Sequence, residues 1–124
     1  LTRYQDANSR FAYTGTWRTF TTSNASGGTE RYTTQTGAAA TIVLTNVRSF
    51  AIGGPKSSTR GSFKVYVDGV LVKSVSERAS TTVYRRILYV RNVTSGTGVS
   101  HTIRIVSAGG GRIDLDAVLT LSAP

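Results

Sequence analysis

Residues 61–75 read Gly61-Ser-Phe-Lys-Val-Tyr-Val-Asp-Gly-Val-Leu-Val-Lys-Ser-Val75. Phe63, Val65 and Val67 alternate with Lys64, Tyr66 and Asp68, the period of two that turns one side of a strand to a core and the other to water. Asp68-Gly69 then supplies the positive-φ pair of a type I′ hairpin turn, so Val70 to Val75 is expected to return as the partner strand with Tyr66 facing outward.

The same kind of signal recurs on both sides, at Ala39 to Thr45, Ser49 to Ile52, Val83 to Val90, His101 to Val106 and Arg112 to Leu121. Each run is bounded by Gly, Ser, Asn or Pro clusters, and short strands at this spacing predict an all-β sandwich or barrel. No window places apolar residues at helical spacing behind a cap, which limits helix to a turn or two and disfavours an α/β nucleotide fold. The Gly/Ser/Thr-rich stretches Thr21 to Thr29, Gly53 to Gly61 and Thr94 to Ser100 read as loops between strands, and no internal repeat is present.

The whole chain, residues 1–124, has the length of a single domain, and its 39% hydrophobic against 17% charged composition is that of a folding sequence. It begins at Leu1 and contains no Met, so it is expected to be a module excised from a larger protein, with other domains of the parent chain among its partners. No apolar run reaches the roughly 18 residues of a membrane-spanning helix and no signal segment opens the chain, so no membrane partner is expected. The absence of Cys excludes disulfides and thiolate metal sites. Fifteen Lys and Arg against six Asp and Glu give a net charge of +9, which draws anionic partners without naming one. These cations are scattered, apart from the cluster Arg85, Arg86 and Arg91. Neither a recognition helix nor the aromatic-basic signature of a single-strand binder is present, so nucleic acid is the weakest partner class.

Four stretches in order, Tyr13-Thr-Gly-Thr-Trp17, Gly28-Thr-Glu-Arg-Tyr32, Arg60 to Gly69, and His101-Thr-Ile-Arg-Ile105 with Arg112-Ile-Asp-Leu-Asp-Ala117, resemble the galactose-binding-like jelly-roll modules. Such modules are appended to secreted bacterial glycan-active enzymes and surface proteins. The resemblance implies an antiparallel β-sandwich of jelly-roll type, a secreted or cell-surface location, and a ligand held at the loops of one end or on the concave face. It implies further that the acidic position in the last strand ties down loops or helps hold a structural Ca²⁺, a site that Asp6 would complete with Asp114 and Asp116, because the first and last strands of a jelly roll lie close together.

Catalysis has little to rest on. Asp114 and Asp116 stand two apart in one expected strand, about 7 Å between Cα atoms, which permits a carboxylate pair but fits the structural role better. Asp68 belongs to a turn, and the lone His101 heads an alternating strand as a structural residue. The Gly109-Gly-Gly111 run lacks the Gly-Lys-Ser/Thr ending of a phosphate loop and reads as a flexible strand connection.

Sugar recognition needs an aromatic face for the C–H side of a pyranose and planar polar groups for its hydroxyls. Trp17 is either such a platform or a corner packed on the core. Tyr84 and Tyr89 flank Arg85 and Arg86 in the richest mixed aromatic and basic patch of the chain, although Ile87-Leu88 breaks the alternation there. Lys56 and Arg60 form another candidate group, since a guanidinium fork suits hydroxyls and carboxylates alike, and Arg78 and Arg112 join it if their loops converge. The reading is a non-catalytic carbohydrate-binding module for a polysaccharide or oligosaccharide, acidic ones included. A structural or protein-interaction module is the alternative.

Overall fold

The computed structural model describes residues 1–122. The chain opens with the short strands β1 (Thr2–Gln5), β2 (Ala12–Thr14) and β3 (Arg18–Thr21), makes a single 3-10 turn at Ser26–Gly28, and continues with β4 (Thr29–Thr33), β5 (Ala39–Thr45) and β6 (Val47–Lys56). The hairpin β7 (Ser62–Val67) and β8 (Val70–Ser76) follows, then β9 (Val83–Asn92), β10 (Ser100–Gly109), β11 (Ile113–Leu115) and β12 (Ala117–Ser122). A five-stranded sheet in the order β2-β5-β10-β7-β8 and a four-stranded sheet in the order β1-β12-β6-β9 form the sandwich, and β11-β4-β3 make a small third sheet. Among the described residues every pairing within these sheets is antiparallel, and two isolated parallel bridges lie outside them.

Alternation builds the core. Ala40, Ile42 and Leu44 of β5, Phe63 and Val65 of β7, and Ile103 and Ile105 of β10 point inward, against Phe50 and Ile52 of β6 and Val118 of β12. Burying each of the Val, Leu, Ile and Phe side chains among these contributes roughly 1.5–3 kcal/mol before entropy is counted. Asp68 and Gly69 both have positive φ, 53° and 83°, and Val67 pairs with Val70, so the hairpin turn is the one the Asp-Gly pair predicts.

The structure departs from the sequence reading in three places. Gly53 to Lys56, expected in a loop, extend β6, because glycine there lets strands run close; a Cβ on Gly54 would stand 3.0 Å from the Asp114 carbonyl oxygen. Arg112 to Leu121 is not one strand. It breaks at Asp116, where the chain leaves the small sheet, paired to β4, and enters the four-stranded sheet, paired to β6. The segments before residue 34, short and without a long alternation, nonetheless supply β1 to β4.

Candidate functional site

The small third sheet adjoins the point where the connections carrying Ser57, Arg60, Arg78 and Gly110 meet. Its register sets Arg18 across from Tyr32 and Tyr32 across from Asp114, with Phe20 beside them opposite Glu30. Paired residues of antiparallel strands share a face, so two aromatic rings and two acidic groups stand together. Arg112 precedes β11 and lays its guanidinium over this face, 3.9 Å from the Tyr32 ring centre and 5.1 Å from that of Phe20. Its Nε and Nη2 donate to the two oxygens of Asp114 at 2.9 and 2.7 Å, the bidentate fork of a strong pair. Glu30 Oε1 is 3.5 Å from the same Nη2. A shallow cleft of about 50 Å³ adjoins, lined by Thr16, Arg18, Tyr32 and Gln35 among others.

Arg60 meets the same carboxylate from the other side, its Nε 2.8 Å from Asp114 Oδ1. Arg78 donates to the carbonyl oxygens of Arg60 and Gly110 at 3.2 and 3.1 Å, and isolated bridges join Ser57 to Arg78 and Arg60 to Arg112. Gly61 makes this crossing possible, since a Cβ there would collide with the carbonyl oxygen of Gly109. The Gly109-Gly-Gly111 run, with φ of 85°, 79° and 137°, is therefore a tightly packed corner rather than a loose connection.

Beneath the arginines lie three acidic groups. Asp114, Glu77 and Glu30 are all buried. Burial, followed by the neighbouring Asp114 carboxylate, pushes Glu30 up to about 9. The same two causes raise Glu77 well above the ordinary range; its Oε1 accepts from the Asp114 amide at 3.0 Å while its Oε2 has no partner among the described residues. The cluster is a scaffold that fixes Arg60 and Arg112 in place.

A second region occupies the outer face of the four-stranded sheet. Arg3, Leu119, Ala51 and Val90 stand side by side across all four strands, and Ala117, Gly53 and Ile87 form the next row. A register shift at Ile52/Gly53 resolves the broken alternation of β9: Leu88 packs against the core, and Ile87 is exposed on the outer face. Arg85 has a left-handed backbone, φ 52°, and its guanidinium donates to the carbonyl oxygens of Ser23, Asn24 and Ala25 at 2.9–3.3 Å, clamping the loop before β4. Non-glycine residues in this conformation persist only where their surroundings hold them.

Of the residues singled out from sequence, Arg60, Arg78 and Arg112 come together as the converging loops require. Lys56 ends β6 half-buried, paired with Val83. Trp17 packs edge-on to Tyr13 at 5.2 Å and against the core, its indole N–H donating to the Thr14 carbonyl oxygen at 3.0 Å. Tyr84 is exposed on β9. Among the described residues, neither shares a hydrogen bond, ion pair or ring contact with the arginine group.

Asp6, Asp114 and Asp116, the three carboxylates expected to help hold Ca²⁺, are not gathered into one group among the described residues. Each faces its own guanidinium: Asp6 has Arg31 at 3.9 Å, Asp114 holds Arg60 and Arg112, and Asp116 feels Arg85 and Arg3. Asp6 also accepts from the Thr29 hydroxyl at 2.9 Å, and Asp116 Oδ2 from the Ser26 amide at 2.8 Å. The break at Asp116 separates it from Asp114, which overturns their reading as a same-face pair on one strand. No group of three or more His, Cys, Asp or Glu able to hold a metal exists among the described residues. His101 is structural in its contacts, bonded to Asp68 and to the Thr94 carbonyl oxygen, both at 2.6 Å.

Sequence reasoning missed Phe20, Arg18, Glu30 and Glu77. Tyr32 and Glu30 did lie in a motif-bearing stretch, but nothing in it announced an exposed face. Among the described residues no helix is long and apolar enough to cross a membrane.

No family model and no curated protein matches the sequence. Solved structures do match. The CBM36-1 domain of a multidomain xylanase, from the hindgut metagenome of Trinervitermes trinervoides, is 17% identical over 99% of this chain and 98% of that one, with a TM-score of 0.67. The exo-beta-1,3-galactanase of Phanerochaete chrysosporium is 22% identical over 96% of this chain and 28% of its own, with a TM-score of 0.68. The Agl-KA catalytic domain is 19% identical over 99% of this chain and 27% of its own, with a TM-score of 0.66. The chain thus spans little more than a quarter of the latter two structures. In fold it is a jelly-roll β-sandwich, similar from end to end to the CBM36-1 domain.

Proposed function

We propose that the chain is a non-catalytic carbohydrate-binding module that brings a secreted or surface-borne parent protein to a polysaccharide, with the sugar seated on the Phe20, Tyr32 and Arg112 platform. The observation that carries this reading is the convergence of a 44% exposed Phe20 ring with the Tyr32 ring and a guanidinium locked by a buried carboxylate. The exposed part of Phe20 takes the C–H side of a pyranose, and Nη1 of Arg112, immobilised by the bonds that Nε and Nη2 make to Asp114, bonds a hydroxyl at little entropic cost. The end-to-end likeness to the CBM36-1 domain supports the same reading.

The carboxylates argue against hydrolysis by this chain. A glycosidase sets two of them roughly 5–10 Å apart across an open cleft. Here five of the six are buried, and the sixth, Asp68, is bonded to His101 and to the Thr102 amide.

The test is a glycan array with the folded protein and its Phe20→Ala variant, at low and moderate salt. Salt-resistant binding that weakens roughly tenfold or more in the variant is the expected outcome. Silence across the array from folded protein turns the reading to an interaction module, for which the exposed apolar strip of Leu1, Ile87, Val90 and Leu121 is the surface to probe.

A further inference from the structure

The outer face of the four-stranded sheet holds a cavity of about 180 Å³, separate from the platform. Its floor is Gly53, Ala117 and Leu119, its wall Ile87, and its charged groups are Arg3, Arg85, Arg86 and Asp116. Given about 30 Å³ of liquid per water, the space suits one sugar ring rather than a longer segment.

We propose that this cavity is a second saccharide subsite, selective for a carboxylated sugar unit: the hexuronate carboxylate pairs with Arg3 and Arg86, and a ring hydroxyl donates to Asp116 Oδ1. The proposal rests on the carbohydrate-binding reading and specifies which glycans that reading takes.

Asp116 carries the first part of the argument. It is 2% exposed and its Oδ2 is satisfied by the Ser26 amide, yet its Oδ1 is buried with no partner among the described residues. A buried carboxylate oxygen left unpaired is costly, and this residue lines an open cavity from which a hydroxyl can supply the missing hydrogen bond.

The cations carry the second part. Among the described residues neither Arg3 nor Arg86 has a carboxylate within 4 Å, in contrast to Arg60 and Arg112. Arg85 adds positive field, but its Nε and Nη2 are committed to loop carbonyls. Two uncommitted guanidinium groups beside one carboxylate fit a monoanion better than a phosphate dianion, which Asp116 would repel, and their planar forks match a carboxylate.

The floor carries the third. Gly53 and Ala117 are buried and carry no side chain beyond Cβ, which leaves the half-buried Leu119 and the exposed Ile87 to offer the apolar contact that a pyranose C–H face requires. Ile87 and Leu119 also border a neighbouring apolar hollow of about 220 Å³, where the adjoining unit of a polymer would lie.

The decisive experiment titrates the protein calorimetrically with oligogalacturonate, with the same oligomer after reduction of its carboxyl groups, and with single-stranded DNA. Amide spectra of the protein and of Arg3→Ala, Arg86→Ala and Phe20→Ala are recorded alongside to confirm folding and locate binding. Oligogalacturonate is expected to bind, to shift the amides of Ser26, Gly53, Ile87 and Ala117, and to weaken about tenfold or more in either arginine variant. The reduced oligomer should be weaker by a similar factor. Binding of oligogalacturonate that ignores Arg3 and Arg86 but is lost in Phe20→Ala overturns the subsite while sparing the carbohydrate reading. Binding of only neutral glycans does the same. DNA binding equal to oligogalacturonate binding in both variants and wild type overturns carboxylate selectivity, and no glycan binding on this experiment or the array overturns both readings.

Discussion

Arginine occurs twice in concentrated form on this molecule, with opposite electrostatic surroundings. At the loop end, Arg60 and Arg112 share the buried Asp114, with Glu30 and Glu77 close by. On the outer sheet face, Arg3 and Arg86 have no such partner among the described residues. Desolvated charges must be compensated, so the first pair is consumed in holding the fold and in stiffening an aromatic platform. Solvated cations owe the fold little and remain available to an anion. A count of basic residues cannot separate the two roles. What separates them is whether the guanidinium is paired directly, within 4 Å, to a buried carboxylate, as Arg60 and Arg112 are to Asp114.

Removing the carboxylate should therefore break the contrast from the loop-end side with the largest effect of any substitution considered. Asp114→Ala strands two guanidinium groups in a largely desolvated site, for which breaking a buried pair costs about 3–5 kcal/mol. Arg86→Ala, a change at an exposed cation, should lie within about 0.5 kcal/mol of wild type. Urea unfolding of the two variants measures both; equal losses would mean that the loop-end cluster is no more structural than the sheet face.

A smaller effect follows from the protons in the cluster. Glu30, at about 9, and Glu77 keep their protons in the folded chain where an unfolded carboxyl has lost its own. Both folded values are raised, so the stability they contribute is fully present below about pH 4.5 and is lost as the pH climbs through the folded values, about 9 for Glu30. His101, raised by the Thr94 carbonyl and by Asp68, adds a decline of the same sign above about pH 6.5. Melting temperature should fall across this range, and Glu77→Gln, which removes one of the raised carboxyl titrations, should flatten the fall. A Glu77→Gln profile parallel to wild type would show that Glu77 ionises normally in the folded chain.

How much of this was legible beforehand divides along the same line. Alternation and the Asp68-Gly69 turn identified the hairpin, and strands at regular intervals identified a sandwich, because period and turn chemistry are local properties. Strands β1 to β4 were not legible, being three to five residues long and stabilised by long-range pairing. The convergence of Arg60, Arg78 and Arg112 was anticipated conditionally, since it depends on Gly61 crossing Gly109, a contact 48 residues apart in sequence. Asp114 and Asp116 were misread for a related reason. Two residues apart in one strand share a face, but the chain changes sheets between them, and no composition signal marks that switch.

That switch also sets the smallest prediction, an effect of zero. A calcium site built from Asp6, Asp114 and Asp116 would need the three carboxylates to turn toward one point and give up their present partners. Asp114 would have to release a bidentate Arg112 and the Arg60 beside it, and a divalent cation near Asp116 would be set against Arg3 and Arg85. Placing two positive charges beside a third group of the same sign is unfavourable at any separation shorter than the roughly 8–10 Å over which salt screens them. Millimolar Ca²⁺, and equally its removal by chelator, should therefore leave the melting temperature unchanged. A rise of several degrees with Ca²⁺ would show that the carboxylates exchange guanidinium for metal, and the line drawn between a saturated loop end and an unsaturated sheet face would then have to include the metal.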